Sequence, residues 1–457
     1  MRAFTCTGEF WLPGNEANTF EGTLSFDPRE GARLDPGGVS EFFSQTKDRV
    51  VPLVLGKVKI VEDEPPLEVT LYKVYPQGGY PWPVKCIFQG AHFVDEKDLV
   101  FRRISLSFLP PVDMCHQKKL PNYATVTVNL KSFSVVTISF EKSRSFDECV
   151  LYFGKLVELL TLLFPERTVS GRIVPCSLSA ENDAEKSVEI LYAHPIFRDE
   201  RSIGWLIEPL KAPKAVEEKF GEAFNKLFRR IERLQELRKL EESGELKRLK
   251  KSGKVKDSTT LERKLKFLAK LDFSMDLHFS AVYNRGSSFM GNLELPFFLL
   301  VTAAECYHSA RAEKGTFSPK EDNPDFKEID ELVRQHKGLS EEAREFWNER
   351  GEELVRKPLR LQLEDIYNRW QKTADVLDFL RDEKLRNKFF SRVRDYRADI
   401  AHGRKGFKTA ELLEAFYRLR LFLELCLLGE LGFTPEECKE IIKEAWYYQF
   451  RKLPSAP

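Results

Sequence analysis

Leu412-Leu413-Glu414-Ala415-Phe416-Tyr417-Arg418-Leu419-Arg420-Leu421-Phe422-Leu423-Glu424-Leu425-Cys426-Leu427-Leu428, closed a few residues later by Gly432, decides the class of the C-terminal half. Leu412, Phe416, Leu419, Leu423 and Leu427 recur every three or four positions, which predicts a helix over residues 409–431 with one broad buried face. Gly432 is the expected stop, because glycine takes the left-handed backbone that ends a helix. Helical spacing continues upstream over residues 295–312, 340–355, 359–379 and 383–401, interrupted by a Pro- and Gly-containing loop over 315–324. From about Met275 onward the chain is therefore expected to be all helical.

The first part of the chain has a different period. Leu24 and Phe26 alternate with Thr23 and Ser25, and Leu67, Val69 and Leu71 with Glu68, Thr70 and Tyr72. The same holds for Ile104, Leu106 and Phe108, and for Val136, Ile138 and Phe140. A period of two marks half-buried strands, and Asp35-Pro36-Gly37-Gly38 and Pro76-Gln77-Gly78-Gly79 punctuate them as turns. At Ser145-Phe146-Asp147-Glu148 a capping box opens a helix whose apolar stripe is Val150, Phe153, Val157, Leu160 and Phe164. A further strand pair is expected over residues 170–174 and 187–192.

Between these regions the composition turns to long charged helices, with Phe220, Phe224, Leu227, Ile231 and Leu234 as their apolar stripe. Residues 211–270 carry 19 basic against 10 acidic side chains, suited to a solvated connector or to a surface that also meets phosphates. Ser252-Gly253 and Asp257 to Thr260 read as breaks between helices. The expected fold is thus α+β and multidomain. A β-rich domain (antiparallel sheet or sandwich with a packed helix) covers 1–205, a basic helical connector 206–275, and an all-α domain 276–457.

Composition excludes several classes. With 72 basic and 71 acidic residues the net charge is +1, so any nucleic-acid site must be a local patch. No apolar leader and no apolar run of membrane-spanning length is present, which predicts a cytoplasmic protein without a membrane span. The eight cysteines show no Cys-x2-Cys pair, so neither a zinc site nor a disulfide framework is expected; no metal and no cofactor are expected for the chain.

One polar motif stands just ahead of the last long helix: Arg397-Ala398-Asp399-Ile400-Ala401-His402, followed by Gly403. Of the seven histidines, only His402 has an arginine five to seven positions upstream. On a helix, Asp399 and Asp395 share the face of His402 to within about 60°, so Asp399 is placed to orient the imidazole. Arg397 lies about 140° round the helix from His402. The two converge by wrapping, by unwinding at Gly403, or across a two-fold axis with a second subunit.

One chemistry open to such a pair is RNA cleavage without a metal. The 2′-hydroxyl of RNA attacks its own phosphate, so the protein need only move protons and stabilise charge on phosphorus. An imidazole gives or takes a proton near neutrality, and a guanidinium fork holds phosphoryl oxygens bidentately. Arg404, Lys405 and Lys408 add positive charge where the RNA backbone would pass. A simple cap or surface pair remains the alternative for a helix-end histidine beside a carboxylate.

These residues resemble a family. The region from about Leu293 to Leu431, with Arg397 and His402 at its Arg-x4-6-His motif, resembles the HEPN domain, an all-α ribonuclease fold, in its ApeA-like variant from bacterial abortive-infection proteins. Gly22 to Pro28 and Gly31 to Leu34, together with Gly90-Ala91-His92-Phe93 and Asp98 to Phe101, resemble the ApeA N-terminal domain. The resemblance implies a cytoplasmic anti-phage effector acting as a homodimer. Paired motifs would form one metal-independent endoribonuclease cleft, with tRNA a usual target and a phage-derived trigger reaching the N-terminal domain. One departure is Ala398, where the family commonly has Asn, Asp or His. It leaves open the alternative of a catalytically silent HEPN module that binds RNA or protein, or serves as a sensor. His92 is read as structural before ligand-binding. Glu305, Tyr307 and His308 are read as core or interface packing before contacts to the cleft.

Overall fold

The protein is described by a computed structural model covering residues 3–27, 30–37, 50–60, 65–76, 81–109, 112–113, 116–119, 124–130, 134–164, 174–182, 187–192, 210–211, 214–242, 258–283, 293–313, 331, 340–341, 357–403 and 408–451. The chain divides into two compact units, Met1–Asn225 and Lys226–Pro457.

The first unit is built on strands β1 (Phe4–Trp11), β2 (Phe20–Asp27), β3 (Gly31–Asp35), β4 (Val51–Lys59), β5 (Leu67–Val74), β6 (Trp82–Gln89), β7 (Val100–Leu109), β8 (Val112–Asp113), β9 (His116–Lys119), β10 (Ala124–Leu130), β11 (Ser134–Ser145), β12 (Val174–Glu181), β13 (Ser187–Tyr192) and β14 (Leu210–Lys211). Twelve of them form one antiparallel sheet in the order β3-β2-β1-β4-β5-β6-β13-β12-β7-β11-β10-β9, and β3 also pairs with β6. That extra pairing closes the first six strands into a ring.

The closure is local to one end of β6. Ala32, Arg33 and Leu34 of β3 lie opposite Val84, Pro83 and Trp82, while Ile190 and Leu191 of β13 lie opposite Phe88 and Ile87 further along. The ring therefore opens midway along β6 into the second half of the sheet. Alternation supplies its core: Phe20, Leu24 and Phe26 of β2 are buried, while Glu21 is exposed and Thr23 and Ser25 half-buried. Gly56 of β4 lies against the Phe10 ring, where a Cβ would come within 2.5 Å of Cδ1.

Residues 90–99 are pinned to this ring. Buried Thr70 donates its hydroxyl to the Ala91 carbonyl (2.9 Å) and accepts from the Phe93 amide (3.0 Å). His92 donates Nε2–H to the Gly56 carbonyl at 2.9 Å and stands edge-on to Trp11. Its visible role is structural. Helix α1 (Phe146–Leu163) opens with the capping box expected at Ser145 and Glu148, and Phe146 joins Phe88, Phe93 and Phe101 in an aromatic core. Asp147 clamps this helix end to the sheet through Lys85 (2.7 Å), Lys73 and Tyr72 (both 3.2 Å). Burial alone would raise the Asp147 carboxyl, but the two lysines outweigh it and hold it below its ordinary value. The strand expected over 170–174 lies instead at Val174–Glu181, and residues 170–173 fall outside the described residues. Val174, Cys176, Leu178 and Ala180 do alternate, but Pro175 masks the signal. The structure accommodates that proline at a register shift, where a missing N–H costs little.

Helix α2 (Lys214–Glu242) contains the boundary between the units, so the segment read as a connector contributes to both. The second unit continues with α3 (Ser258–Tyr283), α4 (Glu294–Glu313), α5 (Leu359–Ala374), α6 (Asp378–Arg381), α7 (Glu383–Ala401), α8 (Thr409–Leu431) and α9 (Pro435–Ile442). Ser258 to Thr260 begin a helix; the expected break at Ser252-Gly253, the loop over 315–324 and all but the start of the helix over 340–355 lie outside the described residues.

Two helical expectations change. The segment over 359–379 is not one helix: Trp370 leaves helical geometry (φ −107°, ψ 20°), α5 ends at Ala374, and a short α6 follows. The tertiary cause is visible, because the Trp370 indole donates to the Tyr307 hydroxyl at 2.6 Å. Helix α8 is buried all round from Ala415 to Leu428, not on one face. Arg420, Glu424 and Arg418 can lie inside because they are paired: Arg420 with Glu424 (2.8 Å), Glu424 with the Tyr447 hydroxyl (2.7 Å), and Arg418 with Glu414 (2.6 Å). Gly432 ends α8 in the left-handed region as expected (φ 98°), and Lys226 and Arg230 of α2 donate to the carbonyls of Leu431 and Glu430.

Candidate active site in the helical domain

Helix α7 starts at an Asp382 cap, whose side chain accepts from the Leu385 amide at 2.9 Å. Phe389, Phe390, Val393 and Tyr396 bury one side of it. The helix ends at His402, which leaves helical geometry (φ −98°, ψ 7°) while its amide still bonds to the Ala398 carbonyl at 3.0 Å. Gly403 follows with φ +63°. His402 is exposed at the helix end.

Arg397 points elsewhere. Its guanidinium lies 3.7 Å from Oε2 of Glu305 on α4 and 5.9 Å from the centre of the Phe298 ring. The side chain is 39% exposed and that of Glu305 only 14%, so the fork is anchored on one side and open on the other. Its Nε is buried without a hydrogen-bond partner among the described residues.

Of the other candidates, Asp399 is half-buried, and among the described residues neither its carboxylate nor the His402 ring makes a hydrogen bond. Asp395 is taken by the adjacent Arg394 at 2.7 Å. Lys408 is exposed and 4.0 Å from Glu411, and Arg404 and Lys405 lie outside the described residues. The structure thus brings Arg397 to Glu305 and does not bring it to His402 within one chain. That agrees with the 140° expected from helix geometry.

Around this helix end the support is tight. The Tyr396 hydroxyl donates to Glu411 at 3.2 Å, joining the end of α7 to the start of α8, and Tyr396 meets Phe297 edge-on. Burial, with Glu411 beside it, pushes the Tyr396 phenol up to about 12, so it remains a donor. One turn beyond Glu305, buried His308 donates to Asp365 of α5 at 2.8 Å, and Lys357 holds the same carboxylate at 2.7 Å. Buried Tyr307 donates to Glu430 at 2.5 Å, and Glu430 also pairs with buried Arg311. Glu305 is the member the sequence reading underweighted. Its signal is a lone carboxylate in the otherwise uncharged stretch Leu299 to Cys306.

The described helices include none long and apolar enough to cross a membrane. No curated protein and no solved structure matches the chain. Two family descriptions do: ApeA N-terminal domain 1 over residues 5–110 and Apea-like HEPN over residues 298–437, the second spanning Phe298, Glu305, Arg397 and His402. The chain is accordingly an ApeA-like protein, with an ApeA N-terminal domain ahead of a HEPN domain.

Proposed function

We propose that the protein is an abortive-infection effector whose HEPN domain is a metal-independent endoribonuclease acting in the cytoplasm as a homodimer. The pairing of ApeA and HEPN domains supports the effector part. The observation that carries the enzymatic part is the separation on α7 of an exposed His402 from a half-exposed Arg397 anchored on Glu305. In a dimer, Arg397 of one chain clamps the phosphate opposite His402 of the other, and the two histidines serve as base and acid. The 2′-hydroxyl attacks phosphorus, one imidazole takes its proton, and the other protonates the 5′-oxygen that leaves. The products carry a 2′,3′-cyclic phosphate and a 5′-hydroxyl. Asp399 orients the imidazole once the partner covers it, and Arg404, Lys405 and Lys408 guide the backbone. tRNA is the proposed target, and the N-terminal domain receives the phage-derived trigger.

The test is incubation of the purified protein with total tRNA in EDTA. Fragments ending in 2′,3′-cyclic phosphate are expected, and intact tRNA under all salt conditions overturns the reading. A second reading is favoured by Ala398 and by the ion pair that already occupies Arg397: a silent HEPN module that binds RNA or protein. It predicts RNA retention without fragments.

A further inference from the structure

Glu430, the penultimate residue of α8, gathers two arginines. Arg311 of α4 pairs with its carboxylate through Nη2, and Arg230 of α2 donates from Nη2 to its carbonyl at 3.4 Å. The Tyr307 hydroxyl donates to the carboxylate oxygen that Arg311 takes, and accepts in turn from the Trp370 indole. Each guanidinium keeps donors beyond these. Arg311 is only 2% exposed, and its Nε and Nη1 are buried without a hydrogen-bond partner among the described residues. The same holds for Nη1 of Arg230. A third arginine, Arg369 of α5, is exposed and lies 5.4 Å from the centre of the Trp370 ring. Burial pushes the Arg230 guanidinium down to about 10 and the charge of Arg311 adds to the fall, while the same two causes lower Arg369. The three cations stand within electrostatic reach of one another.

Two carboxylates face these three guanidinium groups: Glu430, and Asp272 of α3, whose charge acts on Arg230. The faces of Arg311 are turned to the rings of Phe267 and Tyr307, at 5.4 and 5.9 Å from their centres, so its edges are what remains to be satisfied. A buried donor left without an acceptor is costly, and more so on a charged group. Water answers Arg311 poorly. It accepts two hydrogen bonds but must also place two hydrogens of its own, and the Glu430 oxygen and Tyr307 hydroxyl beside Arg311 are already engaged. An anion only accepts, and it offsets the surplus positive charge as well. An oxyanion suits best, since its several oxygens can meet N–H groups arriving from different helices. We infer that Arg230, Arg311 and Arg369 form a binding site for a small oxyanion of the phosphate class, set between α2, α4, α5 and the end of α8. Exposed Arg369 gives the ion its way in from solvent. The site is distinct from the candidate active site: Arg311 lies six residues past Glu305 on α4, about 9 Å along the axis and about 120° round it. It stands whether or not the domain cleaves RNA. Bound there, the ion ties four helices together, and the stability of the helical unit follows oxyanion concentration.

The test uses the full chain carrying Arg397→Ala and His402→Ala, so that the candidate active site takes up no phosphate. Equilibrium dialysis against radiolabelled inorganic phosphate is expected to retain one ion per chain. Phosphate at about a hundred times its dissociation constant should raise the melting temperature by about 5–10 °C over chloride at the same ionic strength. Arg230→Met keeps the apolar stem but removes the buried donor, and should weaken phosphate binding about tenfold. Arg369→Gln lies at an exposed position where folding is not at stake, and should weaken it about threefold, which decides the matter if Arg230→Met does not fold. Adenosine monophosphate in place of phosphate separates the two sources of the ion: tighter binding of the nucleotide assigns an ester, weaker binding the free ion, and both uphold the site. No retained phosphate, an equal rise in melting temperature with chloride, or unchanged affinity in the folded variants overturns it.

Discussion

Oε2 of Glu305 lies 3.7 Å from the guanidinium of Arg397, and this pair joins α4 to α7 beside the candidate site. An arginine held on one side by a carboxylate keeps its remaining donors aimed outward, where a phosphate can take them. With Arg397 39% exposed, the pair should add little to stability, below about 1 kcal/mol. Its expected contribution is orientation. Glu305→Gln should reduce the single-turnover cleavage rate roughly tenfold with a near-unchanged melting temperature, whereas Arg397→Ala, which removes the clamp, should cost about 10²–10³ in rate. Wild-type rates in both variants would remove Arg397 from the mechanism.

His402 is expected to move protons and nothing else. His402→Ala should lower cleavage by about 10²–10⁴ and abolish toxicity on induction in cells. Because the ring is exposed and makes no hydrogen bond among the described residues, the thermal unfolding curve should superimpose on that of the parent. An equally toxic variant ends the proposal.

Gly429 tests the packing of the central helix. A Cβ there would run into the ring of Trp370, approaching its Cε3 and Cη2 atoms to 2.8 Å. Alanine gains about 1 kcal/mol of helix propensity over glycine, while overpacking against a rigid indole costs about 1–3 kcal/mol. Overpacking should win. Gly429→Ala is expected to lower the melting temperature by several degrees, at about 2–4 °C per kcal/mol for a unit of this size. A raised melting temperature would show that Trp370 yields.

His278 makes the helical unit sensitive to acid. Burial, then the nearby Arg420 charge, lowers its imidazole from 6.5 to about 3. It lies 3.6 Å from Glu424, yet remains neutral, because that carboxylate is already held by Arg420 and Tyr447. The unfolded chain takes up a proton as pH falls below 6.5, and the folded ring does not until about 3. Stability is therefore complete above 6.5 and falls through this window, with a slope approaching 1.4 kcal/mol per pH unit. Thermal unfolding from pH 7 to 5 should show a steeper loss for the parent than for His278→Gln. Parallel curves would mean that the imidazole is protonated in the folded state.

Much of this molecule is written in neighbours along the chain. Helix α7 runs over the predicted 383–401 and α8 over 409–431, because their apolar spacing and terminal signals at Asp382, Gly403 and Gly432 act within a turn or two. The Ser145 capping box and the alternating strands were legible for the same reason. Arg397 and His402 could also be singled out, with the angle between them, since both sit on one helix.

What neighbours could not decide is where those side chains find partners. Closure of the ring depends on β3 meeting β6, some fifty residues away, at Ala32 and Val84. The kink at Trp370 depends on Tyr307, 63 residues earlier. Helix geometry turns Arg397 about 160° from Asp399 and about 140° from His402, and its guanidinium lies on Glu305, because packing α4 against α7 places that carboxylate there. Sequence alone determined the elements, their ends and the chemistry on offer. Only the tertiary structure decided the ring, the kink and the anchoring of Arg397, since pairing energies between distant residues exist only once the helices and strands have packed.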